Sequence, residues 1–256
     1  MQLTDTHTHL FASEFDADRP EMIQRAVDKH IARFFLPNID SDSITAMLAL
    51  ADAFPDKCFP MMGLHPCSVF ADYEAQLAIV KEWLGKRKFY AIGEIGIDLY
   101  HDVTFAEQQK LAFRKQIEWA KEYELPIVIH CRNSFTEVLE IVTELKDDKL
   151  RGIFHCFSGS HDDAKKIIAL GDFKMGIGGS VTYKNSTLPQ VVKDIPLSYI
   201  VLETDSPYLT PVPFRGKRNE SAYLYYVAEK LADIYQLPIE KIAEVTTRNS
   251  FDVFGR

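Results

Sequence analysis

Along the chain, short apolar runs give way to polar or Gly/Pro breaks, followed by stretches in which apolar residues return every three or four positions. The first pattern is that of buried strands and the second that of helices with one apolar face. Eight apolar runs stand out: QLTDTH, ARFFLPN, CFPMMGLHP, FYAIGEIGID, PIVIHC, GIFHCF, FKMGIG and YIVLETD. Helical spacing fills the intervals. It places Met22, Ile23, Ala26 and Val27 within 19–30, Ile44, Met47, Leu48 and Ala51 within 42–53, and Phe105, Leu111, Ala112, Ile117 and Trp119 within 105–124. The segments EVLEIVTELK, DDAKKIIALG and LYYVAEKLADIY read the same way. Strands separated by helices imply right-handed crossovers and a parallel sheet. Eight such units in about 250 residues match a single closed (β/α)8 TIM-type barrel spanning 1–256, with an open doubly wound sheet as the alternative.

The ends of these runs carry the chemistry. The first ends in Asp5, His7 and His9, the third at His65, the fourth holds Glu94, the fifth stops at His130, the sixth at His155 and the eighth at Asp205. In a parallel barrel the strand C-termini share one face, where the βα loops build the active site. A lone histidine after a strand is an ordinary turn or core residue. Six of the eight strands delivering an acidic or imidazole side chain at equivalent topological positions predict a cluster with the composition of a two-metal hydrolytic site. His7 and His9 alternate, so they face one side if the extended backbone persists through His9. Glu94 is expected to bridge, because a carboxylate has two oxygens whereas an imidazole nitrogen serves one cation. His7, His9 and Asp205 would then complete one metal, and His130 and His155 the other. The plainer role for Glu94, an ion pair inside the barrel, has little local support, since no basic residue follows before Lys110.

Composition narrows the picture. The chain is 46% hydrophobic and 26% charged, enough for a substantial core, and its net charge of −8 argues against a surface coated for nucleic acid or anionic lipid. No run approaches the roughly 18 apolar residues of a membrane span, the N-terminus lacks a signal-peptide pattern, and the four cysteines have no CxxC spacing. A cytoplasmic protein with reduced thiols and no membrane partner is expected; oligomeric state is not legible. Cys131 and Cys156 each follow a candidate histidine, and alternation turns them away into packing. GIGGS at 176–180 lacks dinucleotide-binding spacing and reads as a turn, and no GxSxG elbow occurs. FRGKRNE at 214–220 is the one dense basic stretch near a strand end, either a phosphate grip or a solvated loop. Tyr208 and Phe214 could stack bases or simply pack the loop, and packing is the reading taken for both.

The motifs DTHTHL, GEIGID, VIHCR, HCFSG, ETDSPYL and RGKRNE, in this order along essentially the whole chain, resemble the successive signatures of the TatD family of metal-dependent deoxyribonucleases. The resemblance implies a binuclear centre on an amidohydrolase-like barrel, ligated by His7, His9, Glu94, His130, His155 and Asp205. It also implies substrate contacts from His65, Arg132, Arg218 and Asn219, and 3′ to 5′ hydrolysis of single-stranded DNA. A hydroxide generated on the metals would attack, with Glu94 and Asp205 as the catalytic carboxylates and Asp205 taking the proton. The histidine-rich set suits Zn²⁺, Ni²⁺, Co²⁺ or Mn²⁺, whereas the resemblance implies activity with Mg²⁺. The expectation is two divalent ions, with Mg²⁺ or Mn²⁺ supporting turnover and Zn²⁺ or Ni²⁺ binding in vitro. The chain departs from the family pattern at Cys67, where HPC stands for HPH, at IDLYHD, which introduces His101, and at Ser221. Two other readings stay open. One is a metallohydrolase of another ester or amide, such as an aminoacyl-tRNA ester; a carboxylated-lysine bridge is disfavoured because the fourth strand offers no lysine. The other is a non-catalytic binding protein.

Overall fold

A computed structural model describes residues 1–255. Its strands are β1 (Leu3–Asp5), β2 (Ile31–Pro37), β3 (Cys58–Met61), β4 (Ile92–Asp98), β5 (Ile127–Arg132), β6 (Gly152–Phe154), β7 (Phe173–Ile177) and β8 (Ile200–Leu202). The helices are α1 (Arg19–Asp28), α2 (Ile44–Ala53), α3 (Tyr73–Lys86), α4 (Ala106–Glu122), α5 (Phe135–Leu145), α6 (His161–Ala169), α7 (Leu188–Lys193), α8 (Leu224–Tyr235) and α9 (Ile239–Phe254). Every pairing is parallel, in two ladders, β1-β2-β3 and β4 through β8. A bridge between Met62 and Ile92 joins the ladders on one side, and on the other Thr6 donates from both its amide and its hydroxyl to the Leu202 carbonyl, at 3.0 and 2.9 Å. The architecture is the expected eight-stranded TIM-type barrel.

Alternation sorts the strand residues into two layers. Phe34 and Leu36 pack outward with the helices, while Phe35 turns inward and meets Phe59, Met61, Ala91, Val128, Ile153 and Val201. This lumen is plugged by Val253 and Phe254 at the end of α9, with Phe254 stacked on Phe35 at 3.8 Å between ring centroids. Arg151, just before β6, donates to the Val253 carbonyl, which places the plug at the N-terminal end of the strands. A buried phenylalanine there contributes about 2–3 kcal/mol. The opposite end of the lumen is left for polar groups.

Six of the helices match the predicted segments to within about two residues at most ends. The others, α3, α7 and α9, lie outside the predicted set. In α9 the apolar period is diluted because Thr246, Asn249 and Ser250 are buried, their polar atoms bonded to the carbonyls of Ile242, of Ile200 and Leu197, and of Thr247. A periodicity that counts only apolar residues misses a buried face built this way. Glycine sets one packing feature that bears on the site. Gly96 has φ +148°, and a Cβ there would lie 2.0 Å from the His130 carbonyl oxygen, so only glycine lets β4 and β5 approach where they carry Glu94 and His130.

Candidate metal centre

The site is assembled by backbone bonds that continue past the strands. β1 stops at Asp5, so His7 and His9 do not share a strand face as the alternation predicts. Instead Asp205 N donates to the His7 carbonyl (2.9 Å) and His9 N to the Ser206 carbonyl (2.8 Å), lacing the exits of β1 and β8 together. The two imidazoles still converge, 5.2 Å apart between centroids. Asp205 adopts a left-handed φ of +55°, a conformation Asp tolerates better than most residues. Beneath them Asp5 is fully buried, its carboxyl accepting from Thr204 N, Thr204 Oγ1 and Ser221 Oγ at 3.0, 2.6 and 2.6 Å. Burial outweighs those bonds and pushes Asp5 up to about 7.

Glu94 is the hub. It is 2% exposed and sits within β4 rather than at its end. Its Oε2 lies 3.0 Å from His7 Nε2 and 3.8 Å from His9 Nε2. Its Oε1 lies 2.7 Å from His130 Nδ1, 3.4 Å from His65 Nε2 and 3.6 Å from His155 Nε2. Asp205 Oδ1 faces His9, His7 and His155 at 3.5, 3.7 and 3.8 Å. Burial works against the charge on Glu94, but His65, His7 and His155 together with the His130 hydrogen bond hold its carboxyl well below the ordinary range. Asp205 is likewise held low, against burial, by His9, His155 and His7. Among the imidazoles, burial and the neighbouring His155 push His7 down, and burial does the same for His65. Burial also acts against the charged forms of His130 and His155. There the carboxylates win: Asp98 and Glu94 bring His130 up to about 9, and Glu203 and Glu94 bring His155 up to about 10.

The donors fall into overlapping triplets, each with its ligand atoms within 4.8 Å of one another: His7, His9 and Glu94; His7, His155 and Asp205; His65, Glu94 and His130. His155, whose ring stacks on His7 at 3.5 Å, thus lies with His7 and Asp205 as well as near Glu94. His65, expected as a substrate contact, is inside the donor shell. These residues fit a divalent cation on two grounds. Nδ1 and Nε2 of His7 and Nδ1 of His9 are buried without a hydrogen-bond partner; His7 Nε2 is close to Glu94 but not aligned for a bond. And imidazoles with anionic carboxylates are the donor set of borderline divalent metals.

Two carboxylates missed in the sequence hold the imidazoles from behind, the usual second partner of a metal-binding histidine. Asp98 Oδ2 meets His130 Nε2 at 2.8 Å, so His130 is gripped between Glu94 and Asp98. Glu203 Oε1 accepts from Cys156 N at 2.6 Å and lies 3.0 Å from His155 Nδ1. A signal existed for both: Asp98 is four residues after Glu94 on one strand, and Glu203 two before Asp205. The space for Glu203 was not legible, since it depends on Gly176, where a Cβ would fall 2.0 Å from Glu203 Oε2. Alternation also fails at Cys156, whose left-handed φ of +49° brings it into a group with His155 and Glu203 rather than into packing. Cys131 accepts a long bond from Ser134.

The remaining expected substrate contacts divide. Arg132 is exposed at the end of β5, its guanidinium 4.1 Å from the Tyr100 ring centroid. Arg218 and Asn219 do not present themselves to a substrate. Arg218 donates to both carboxylate oxygens of Asp18 (2.7 and 2.9 Å) and to the Glu14 carbonyl, and lies over Phe15. Asn219 is fully buried, its amide donating to the carbonyls of Thr204 and Tyr208 and accepting from Glu220 N. Both are spent on holding the loop. Phe214 packs on Tyr223 at 4.2 Å, as expected, whereas Tyr208 is 52% exposed, with its ring centroid 6.2 Å from that of His9. Beside the site a recess of about 410 Å³ is bordered by Asn133, Phe135, His155, Cys156 and Phe157.

A barrel with imidazoles and carboxylates gathered at the C-terminal ends of its strands is the architecture of the metal-dependent hydrolases. Residues 4–255 match the family model of the TatD-related DNases, and the chain belongs to that family. It is 40% identical to the uncharacterised metal-dependent hydrolase YabD of Bacillus subtilis over 98% of both chains. It is similar in structure to YjjV, a TatD homologue from Escherichia coli, with a TM-score of 0.93 and 29% identity over 99% of this chain and 98% of that one. A TatD-family hydrolase from Entamoeba histolytica shares the fold at TM-score 0.83 and 21% identity, over 99% of this chain and 98% of that one. The protein is thus a metal-dependent hydrolase of the TatD family, whose name denotes deoxyribonuclease activity. Among the described residues no helix is long and apolar enough to cross a membrane.

Proposed function

We propose that this hydrolase is a deoxyribonuclease that cleaves phosphodiester bonds from the 3′ end of single-stranded DNA, using two divalent cations. The observation that carries the reading is the division of Glu94, one oxygen toward His7 and His9 and the other toward His65, His130 and His155. His7, His9, His65, His130, His155, Glu94 and Asp205 would hold the cations. Such ions, when bound, activate water near neutral pH and neutralise charge developing on phosphate oxygens. Asp205, 16% exposed at its side chain and facing three imidazoles, is the carboxylate placed to accept a proton at Oδ1. Arg132 at the rim is suited to the two non-bridging phosphate oxygens through two parallel hydrogen bonds. The exposed Tyr208 ring offers a face to a terminal base.

Preference for an end is supported by the net charge of −8, since duplex binding rests on many phosphate contacts. Mg²⁺ or Mn²⁺ is the proposed physiological pair, with Zn²⁺ or Ni²⁺ binding more tightly in vitro. A time course on end-labelled single-stranded DNA with Mg²⁺ or Mn²⁺, beside chelated and Asp205→Asn controls, tests this. The expected result is a metal-dependent ladder shortening from the 3′ end and absent in the variant. Intact DNA with protein that holds its metals would transfer the site to another ester or amide.

A further inference from the structure

The two positions at which the chain departs from its motifs beside the site, Cys67 and His101, meet on one carboxylate oxygen. Cys67 Sγ is 3.5 Å from Asp98 Oδ2 and 3.7 Å from His101 Nδ1, and His101 Nδ1 is 2.9 Å from Asp98 Oδ2. All three ligand atoms lie within 4.8 Å of one another. Bond lengths of about 2.3 Å to sulfur, about 2.1 Å to nitrogen and about 2.1 Å to oxygen around a tetrahedral zinc require edges of about 3.6 Å for S–N and S–O and about 3.4 Å for N–O. Two edges are therefore already in place, and the third is reached by opening the Asp98–His101 hydrogen bond by about 0.5 Å.

The surroundings suit an ion. A small cavity of about 40 Å³ is lined by Cys67, Asp98, His101, Asp102, Phe105 and Gln109, among others, of which Cys67, His101 and Asp102 are exposed. That is room for a cation and a water as fourth ligand. Asp98 is preset for the role. Its Oδ1 is occupied by the amides of Tyr100 and His101, both at 2.9 Å, which fixes the carboxylate and leaves Oδ2 for the side chains. A thiolate and a carboxylate neutralise a divalent ion, and the thiolate selects Zn²⁺ or Co²⁺ over Mg²⁺.

We infer that Cys67, Asp98 and His101 form a separate zinc-type site at the rim of the barrel, next to the Glu94 centre. The two sites share Asp98, since the oxygen that would meet this ion also holds His130 Nε2 at 2.8 Å. The inference does not depend on the substrate, so the metal alone serves as probe. Metal-free full-length protein is titrated with Co²⁺ while the thiolate-to-cobalt charge-transfer band is followed, with far-UV circular dichroism to check folding. The band is expected in the wild type and in Cys156→Ser, to be lost in Cys67→Ser, to weaken in His101→Ala, and to persist in excess Mg²⁺. Absence of the band at saturating Co²⁺, or its survival in Cys67→Ser, overturns the site. Loss of the band in Cys156→Ser does so too, by moving the thiolate to His155 and Glu203. Should Cys67→Ser fail to fold, an undiminished band in His101→Ala is by itself decisive against it.

Discussion

Two regions of this protein look equally chemical in sequence, and the fold treats them in opposite ways. The strand-end histidines and carboxylates are gathered with nitrogens to spare: both ring nitrogens of His7 are buried and unbonded, and Glu94 faces five imidazoles. In the basic loop 214–220 the buried side chains are already partnered, and of its side chains only Arg215 and Lys217 stay exposed. Arg218 is committed to Asp18, Asn219 to two carbonyls, and Arg215 lies 3.8 Å from the Tyr183 ring centroid. Buried polar groups are normally partnered, so a cluster left without partners marks where a ligand is to supply them. Residue type alone does not separate the two cases; partnering does.

The largest effect that sharpens this contrast is expected from Glu94→Ala. Losing the shared carboxylate removes several kcal/mol of transition-state stabilisation, about 10³-fold or more in kcat/KM. Elemental analysis is expected to show neither metal, or one weakly held, in protein that still melts cooperatively. Two retained metals with full activity would break the bridging role. Next comes Asn219→Ala, which strips the Thr204 and Tyr208 carbonyls of their donor and is expected to cost about 3 kcal/mol of stability, read as a lower denaturation midpoint. An unshifted midpoint would return Asn219 to the substrate side of the comparison.

Glu203→Gln ranks third. It keeps the volume beside Gly176 but weakens the hold on His155, and metal affinity measured by competition with a chelator is expected to fall about 10–100-fold. Smaller again is Arg218→Ala, expected to lower stability by about 1 kcal/mol while leaving the salt dependence of DNA binding unchanged. A slope reduced by about one unit would mean the guanidinium reaches phosphate after all. The smallest effect is one of pH. The bonds from Arg218 and then Arg25 hold the Asp18 carboxyl below its ordinary value of 3.8. An acid whose folded pKa is depressed contributes stability above its unfolded pKa and loses it as pH falls further. Asp18→Asn is therefore expected to flatten the loss of stability below about pH 4, and an unaltered acid limb would show the ion pair to be fully screened.

Much of the centre was legible because barrel topology turns linear position into spatial position. Asp5, His65, His130, His155 and Asp205 each fall at or shortly after the end of an apolar run, and parallel strands bring such ends to one face. Glu94 is inside its strand and was found by residue type and motif. What could not be read was direction. Whether His65 contacts substrate or joins the donor shell depends on a ring orientation set by the Cys67 amide on its Nδ1. Whether Cys156 packs or faces His155 depends on one left-handed residue.

The sequence by itself determined the element order, the two-layer alternation of the strands and the inventory of metal-binding side chains. These follow from local periodicity and chemistry, which need no knowledge of distant neighbours. Only the tertiary structure decided which polar groups were consumed and which were left over. That choice rests on contacts between residues as far apart as Asp18 and Arg218, Asp5 and Ser221, or Gly176 and Glu203. A hydrogen bond is a fact about two places at once, so no reading of one stretch of chain decides whether its donors are already taken.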